Sequence, residues 1–334
     1  MNNLLLVKKG AIIRNFEKNS HLDNLFLVTK SNFYGVGSEI ISIANKFVKG
    51  YVFNSLSDYL FVKHQITDKK IILLYPNLSN KTIKELKENK DLFYVVMNTD
   101  QEQFVKQNDL FNKSYIRIDP FLGNHGFSID YLNKEHVNKY HGVLLHVNEN
   151  LSDHEFKIVQ DIMNICEQKK LVLNIGGSCV LEDSRLNGCT ELRAIMSFLL
   201  PRNATNVDET SIVLTTQVLQ KQIITKPISI GYKSNRVVIE KGTIITISLG
   251  YGEFHLLRNL YQNKVKINIL GNEYYIPCEP CMNTSWLYSP NKIYDISSRL
   301  TILSTKDFYR ISSILDIDID EILTAFKGIE VRIV

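Results

Sequence analysis

The chain has no run approaching the ~18 consecutive apolar residues that a membrane-spanning helix needs. Its first ten residues, MNNLLLVKKG, place lysines after a short apolar stretch, the reverse of the order in a secretory signal. It also lacks a block of like charge. Lys plus Arg total 39 against 35 Asp plus Glu, and the excess of +4 is spread without basic-aromatic interleaving. A soluble cytoplasmic protein is expected, with neither nucleic acid nor membrane as partner. Cysteine is scarce and irregular. Cys166, Cys179, Cys189, Cys278 and Cys281 form an odd set unlike a disulfide framework. Cys278-Glu-Pro-Cys281 has metal-like spacing, but a structural zinc needs a second pair, which the chain lacks, so no metal is expected. There is no repeat of fixed period and no low-complexity segment.

What is present is length and alternation. With 334 residues, 44% of them hydrophobic, the chain can build a large core and two domains. Eight short β-rich runs are spaced along residues 25–199: LFLVT, YVFN, KIILLYP, FYVVMN, YIRID, GVLLHV, LVLNIGG and LRAIMSFL. Between them GSEIISIANKFV, SDYLFVKHQ, NKTIKELKEN and SDHEFKIVQDIMNICEQ carry helical periodicity, with Ser or Asn at the N-caps. Eight strands with intervening helices predict a (β/α)8 TIM-type barrel, and a doubly wound open sheet is the alternative. After residue 207 the texture changes to strands without helices between them, in SIVLTTQVLQKQII, RVVIEKGTIITISLGYG, KVKINILGNEYYIP and GIEVRIV. One helical segment, KDFYRISSILDIDIDEILTAF, interrupts them. The expected division is a barrel over 1–207 and a mostly β C-terminal domain over 208–334, with the first strand of the chain pairing into the second domain.

In a barrel the chemistry collects at the C-terminal ends of the strands. The first run ends at Lys30, the sixth at His146 and the seventh at Gly176-Gly177-Ser178, while Arg193 lies early on the eighth. A lysine at an apolar strand end loses its proton more readily and can attack a carbonyl. Gly-Gly-Ser offers backbone N–H groups and a hydroxyl to a phosphate. Lysine, phosphate cradle and a further cation together suggest pyridoxal 5'-phosphate. Each is weak alone, since a Gly-Gly-Ser is usually a turn and a histidine there usually a core hydrogen-bonder.

With those residues identified, the chain resembles the alanine-racemase-like, fold-type III pyridoxal-phosphate enzymes. TKSNFYGVG matches the family's V-K-A-N-A-Y-G-H-G at Lys30, Asn32, Tyr34, Gly35 and Gly37. IRIDPFLGNHGF, GVLLHV, NIGGS, ELRAIMSFL, LGYGEF and PCMNT follow in the family's order. The resemblance implies a pyridoxal-phosphate-dependent amino-acid racemase, with the cofactor in a Schiff base on Lys30 and its phosphate bound by Tyr34 and Ser178 and beside Ile195 and Met196. Arg193 would face the pyridine nitrogen, with His146 near the ring. Tyr251, in LGYGEF, would be the second catalytic base. Tyr251, Met282 and Asn283 would be lent by the partner of a homodimer with shared active sites.

Two acid/base groups on opposite sides of Cα suit racemisation better than one. Lysine and tyrosine both ordinarily titrate near ~10, so a site using them needs desolvation or nearby positive charge. No cationic neighbour for Tyr251 is legible in the sequence. An arginine opposite the pyridine nitrogen, unable to accept a proton, favours racemisation over decarboxylation.

The departures fall around the substrate. Asn124 stands where the family has a carboxylate-binding arginine, and Arg117 replaces a lysine that is carbamylated in several members. Asn283 replaces an aspartate, Ile195 a glycine, and Phe326 a second phosphate-binding tyrosine. Arg117 and Asn124, with Met282 and Asn283, are the expected substrate contacts. Because both bases survive while these residues change, the expected substrate is an amino acid other than alanine, such as ornithine or lysine, for a specialised pathway. A housekeeping alanine racemase and a non-catalytic pyridoxal-phosphate-binding protein are the alternatives.

Overall fold

A computed structural model describes residues 3–334 apart from 122, 124–125, 149–150, 178–179, 187, 201–210, 232–235 and 294. It divides into two compact units, Met1–Ile13 with Tyr34–Gly37 and Leu199–Val334, and Arg14–Phe33 with Ser38–Phe198.

The second unit is a closed parallel barrel. Strand β1 (Leu4–Val7) lies outside it; the staves are β2 (Leu25–Val28), β3 (Gly50–Phe53), β4 (Lys70–Leu73), β5 (Leu92–Val96), β6 (Ser114–Ile118), β7 (Gly142–His146), β8 (Val172–Gly176) and β9 (Glu191–Ala194). The ring closes where Leu25, Phe26 and Leu27 pair with Leu192, Arg193 and Ala194, which excludes the open-sheet alternative. Strands such as LFLV and LFYVV are buried throughout, as parallel staves covered by helices must be. The helices begin where their caps put them: Ser55, Ser79, Asn98 and Ser152 each accept a hydrogen bond from a first-turn N–H. The helix over Thr99–Asn108 was not evident from periodicity, and the eighth run is a strand only to Ala194, with Met196–Leu199 helical.

Side chains two apart on a strand share a face. Tyr115 and Arg117, Asn174 and Gly176, and Glu191 and Arg193 are such pairs. Glu191, buried at 7% exposure, accepts from Lys70 Nζ at 2.7 Å, Tyr115 Oη at 2.7 Å and Asn174 Nδ2 at 2.9 Å. His141 Nε2 stands 2.9 Å from Lys70 Nζ. Burial, then the Lys70 charge, pushes His141 down to about 4, so its neutral ring accepts from the ammonium. Burial and the Glu191 charge hold Tyr115 protonated, as its donor role requires.

The first unit is built on a sheet of order β16 (Ser285–Ser289), β13 (Gly242–Ile247), β10 (Ile212–Ile224), β1 and β18 (Glu330–Ile333), with β17 (Arg299–Ser304) also on β10. Along the long β10, β1 and β17 pair with residues 212–217, and β13 pairs with residues 218–224 across a register shift between Val218 and Gln220. Hairpins β11 (Ile228–Ile230) with β12 (Val237–Ile239) and β14 (Ile267–Ile269) with β15 (Asn272–Tyr274) complete it. The late helical segment is two helices, Thr305–Leu315 and Ile319–Thr324. Phe326 stacks on Phe254 at 4.6 Å and meets Phe308 edge-on, as a packing aromatic.

Removing Glu191 would leave an ammonium, a phenol and an amide facing each other without their acceptor. Glu191→Ala should cost about 2–3 kcal/mol, at or below the low end for a broken buried pair because Lys70 keeps 24% of its side-chain exposure. The paired change Glu191→Leu with Lys70→Met should cost less than the single one. Thermal melts followed by circular dichroism compare the two.

Candidate active site

Lys30 follows β2 at the barrel's C-terminal rim and is half-buried. The chain then does something rare. Ser31, Asn32, Phe33 and Tyr34 all take left-handed backbone angles, with φ between 49° and 55°. That conformation costs L-residues about 1–2 kcal/mol each. Such strain persists only where surrounding structure imposes it, and it concentrates at functional sites. Phe33 and Tyr34 are buried, at 3% and 8% exposure, and Phe33 packs edge-on against Phe53.

His146 ends β7. Burial, then the charges of Arg193, Arg117 and Lys30 in that order, pushes it down to about 4, against a smaller opposing effect of Asp119. Four residues singled out from sequence thus share one rim, with a neutral imidazole among three cations. Arg193 is held firmly: it donates to Asn174 Oδ1, and to the Leu145 carbonyl at 3.0 Å. A Cβ on Gly176 would lie 2.4 Å from Arg193 Nε, so the glycine makes room for the guanidinium. This is a packing reason for Gly176, separate from any phosphate cradle. Arg117 is 7% exposed and donates to Tyr75 Oη at 3.3 Å; its Nε is buried and meets no acceptor among the described residues. Ile195 and Met196 lie where β9 gives way to the short helix Met196–Leu199, a sector in which barrels often bind phosphate. Ser178 and Asn124 lie outside the described residues.

In the first unit, Tyr251, Met282 and Asn283 come together. Tyr251 N–H donates to the Cys281 carbonyl at 3.0 Å and Gly252 N–H to the Met282 carbonyl at 2.9 Å. The two loops touch so closely that a Cβ on Gly250 would stand 2.1 Å from the Met282 oxygen. Met282 is 58% exposed. Cys278 and Cys281 are free thiols, and among the described residues no group of three or more His, Cys, Asp or Glu could hold a metal ion. No helix among them is long and apolar enough to cross a membrane.

Sequence reasoning missed Asn174, Glu191, Tyr75 and Arg258. Asn174 and Glu191 had a signal: polar residues at alternate positions of apolar strands, two before Gly176 and Arg193. Tyr75 and Arg258 had none, because only the folded chain brings them to Arg117 and Tyr251.

Several solved structures share this fold. An alanine racemase from Bartonella henselae with covalently bound pyridoxal phosphate matches at TM-score 0.82 and 15% identity, over 100% of both chains. The alanine racemase of the D-cycloserine producer Streptomyces lavendulae matches at 0.80 and 13%, over 100% of this chain and 97% of that one. That of E. faecalis matches at 0.79 and 16%, over 99% and 98%. The fold is that of the alanine racemases. No family model and no curated protein matches the sequence.

His146 takes its proton near 6.5 when unfolded and near 4 when folded. Between those values the unfolded chain binds the proton the folded chain refuses, so stability present above pH 6.5 is lost as pH falls toward 4. His141 acts in the same sense over the same window. Melting temperature measured across it should fall less steeply in His146→Gln than in the unaltered protein, and least in the double variant with His141→Gln.

Proposed function

We propose that the protein is a pyridoxal 5'-phosphate-dependent amino-acid racemase acting as a homodimer, each barrel completed by Tyr251 and Met282 of the partner subunit. The observation that carries this reading is the barrel rim on which Lys30, Arg117 and Arg193 bear on a neutral His146. Two arginines beside a half-buried lysine suit a cofactor with an anionic phosphate and a phenolic oxygen. Arg117 Nε, buried without an acceptor among the described residues, is a donor awaiting an anion. The donor set therefore fits the cofactor. Lys30 would hold it covalently, Tyr34 and Ser178 its phosphate, and Arg193 its ring nitrogen.

Bound there, pyridoxal phosphate would supply an electron sink for the pair left on Cα when its proton departs. The protein's part is to move that proton. In one direction Nζ of Lys30, released once the substrate amine displaces it from the cofactor, would take the proton from one face, while the phenol of Tyr251 of the partner subunit would return one to the other; the reverse reaction exchanges the roles. Arg193 has donors only, so it would leave the ring nitrogen unprotonated and the sink weak, favouring prompt reprotonation over longer-lived chemistry. Asn174 fixes its guanidinium for that task.

The substrate would be an amino acid longer than alanine, such as ornithine or lysine. What supports this is the set of changes at 117, 124 and 283 beside two unchanged bases. Arg117 would hold the substrate carboxylate.

The reading is tested by incubating the protein in deuterium oxide with the L-forms of the common amino acids. Deuterium should enter Cα of ornithine or lysine faster than of alanine; alanine leading would make the enzyme an alanine racemase, and incorporation into none would leave a cofactor-binding protein. Lys30→Ala and Tyr251→Phe should each lower racemisation by about 10²-fold or more. Retained racemisation in both would sink the two-base mechanism. Arg117→Ala should raise KM at least tenfold, and unchanged KM and kcat would remove Arg117 from the substrate site.

A further inference from the structure

The reading above leaves Tyr251 needing a positive neighbour, and the fold supplies one. The Arg258 guanidinium carbon lies 4.0 Å from the centroid of the Tyr251 ring, and its Nε is 3.5 Å from Glu279 Oε1. Arg258 lies on the helix Leu257–Gln262, seven residues after the tyrosine. Glu279 lies two residues before Cys281, whose carbonyl holds the Tyr251 N–H at 3.0 Å. One short segment, 279–281, therefore clamps the backbone of Tyr251 directly and its ring through Arg258.

We propose that Arg258, tethered by Glu279, is a positioning residue for Tyr251, fixing the plane of the phenol. The inference rests on the racemase reading. A guanidinium on a ring face attracts it through the quadrupole, and does so flat against the ring as an ammonium cannot. Tyr251 has a fixed backbone but only χ1 and χ2 to aim its oxygen, so a plate on one face of the ring removes the remaining freedom. Arg258 has no proton to give or take, and its effect passes entirely through Tyr251.

That last point sets the experiment. On the full-length protein carrying its cofactor, deuterium entry at Cα is followed separately from the L- and D-forms of ornithine, lysine and alanine. Arg258→Gln should slow entry from one enantiomer about tenfold and leave the other unchanged, the same one-sided pattern as Tyr251→Phe. Arg258→Lys should recover part of the loss, and Arg258→Gln combined with Tyr251→Phe should be no slower than Tyr251→Phe alone. A second readout needs no turnover. With 3-fluorotyrosine at position 251, the fluorine resonance should move in Arg258→Gln and in Glu279→Gln, and stay in place in the control Lys266→Gln. Equal losses from both enantiomers, additive effects in the double variant, or an unmoved resonance overturn the proposal while the racemase reading stands. Absence of exchange from either enantiomer in the unaltered protein overturns that reading, and this inference with it.

Discussion

A carboxylate buried inside a barrel must be answered by donors, and much of the rim geometry follows from how Glu191 is answered. Its oxygens take Lys70, Tyr115 and the amide of Asn174. Because the Asn174 Nδ2 is committed to Glu191, its Oδ1 is turned toward Arg193 and accepts from it. The guanidinium then lies over Gly176, where any side chain would collide with it. One desolvated charge at the start of β9 thus bears, through an amide and a glycine, on where a cation stands two residues further along the same strand. Without the carboxylate the amide is free to turn, and the arginine keeps the Leu145 carbonyl but loses the fixed amide oxygen.

The same economy governs the electrostatics. Three cations on one rim repel, and the fold tolerates them by pinning two: Arg193 by Asn174 and Leu145, Arg117 by Tyr75. His146, the group most able to relieve the crowding, does so by staying uncharged. The resulting surplus of donors is what makes the rim suited to an anion, and the buried Arg117 Nε is its clearest sign. The left-handed turn after Lys30 belongs to the same account, since four residues in a costly conformation are held only because the adjoining structure leaves them no other.

The barrel was legible because its staves are buried on both faces and read as short continuous apolar runs, while Ser and Asn mark the helix starts. The segment from Lys30 to Gly37 was legible as a motif. What could not be read was contact. LRAIMSFL looks like one strand, yet the strand ends at Ala194 and four residues of helix follow, a difference no alternation reveals. Phe326 stood in the sequence as a missing phosphate ligand, and the fold accounts for it as a ring stacked on Phe254. Nor could Arg258 be read as the neighbour of Tyr251, because seven residues along a loop and helix have no fixed relation until the fold sets Arg258 over the ring and against Glu279.

Fold likeness at 12–16% identity says that the backbone plan tolerates nearly any side chain that keeps the pattern. The positions that do not tolerate change are then those where geometry, rather than hydrophobicity, sets the residue. Gly176 must admit a guanidinium and Gly250 a carbonyl, each at a distance that excludes a Cβ. The first fixes Arg193 at the barrel rim, the second brings Tyr251 against Met282. Each unit therefore holds one residue singled out from the sequence, Arg193 in the barrel and Tyr251 in the sheet unit, on a contact that only glycine permits.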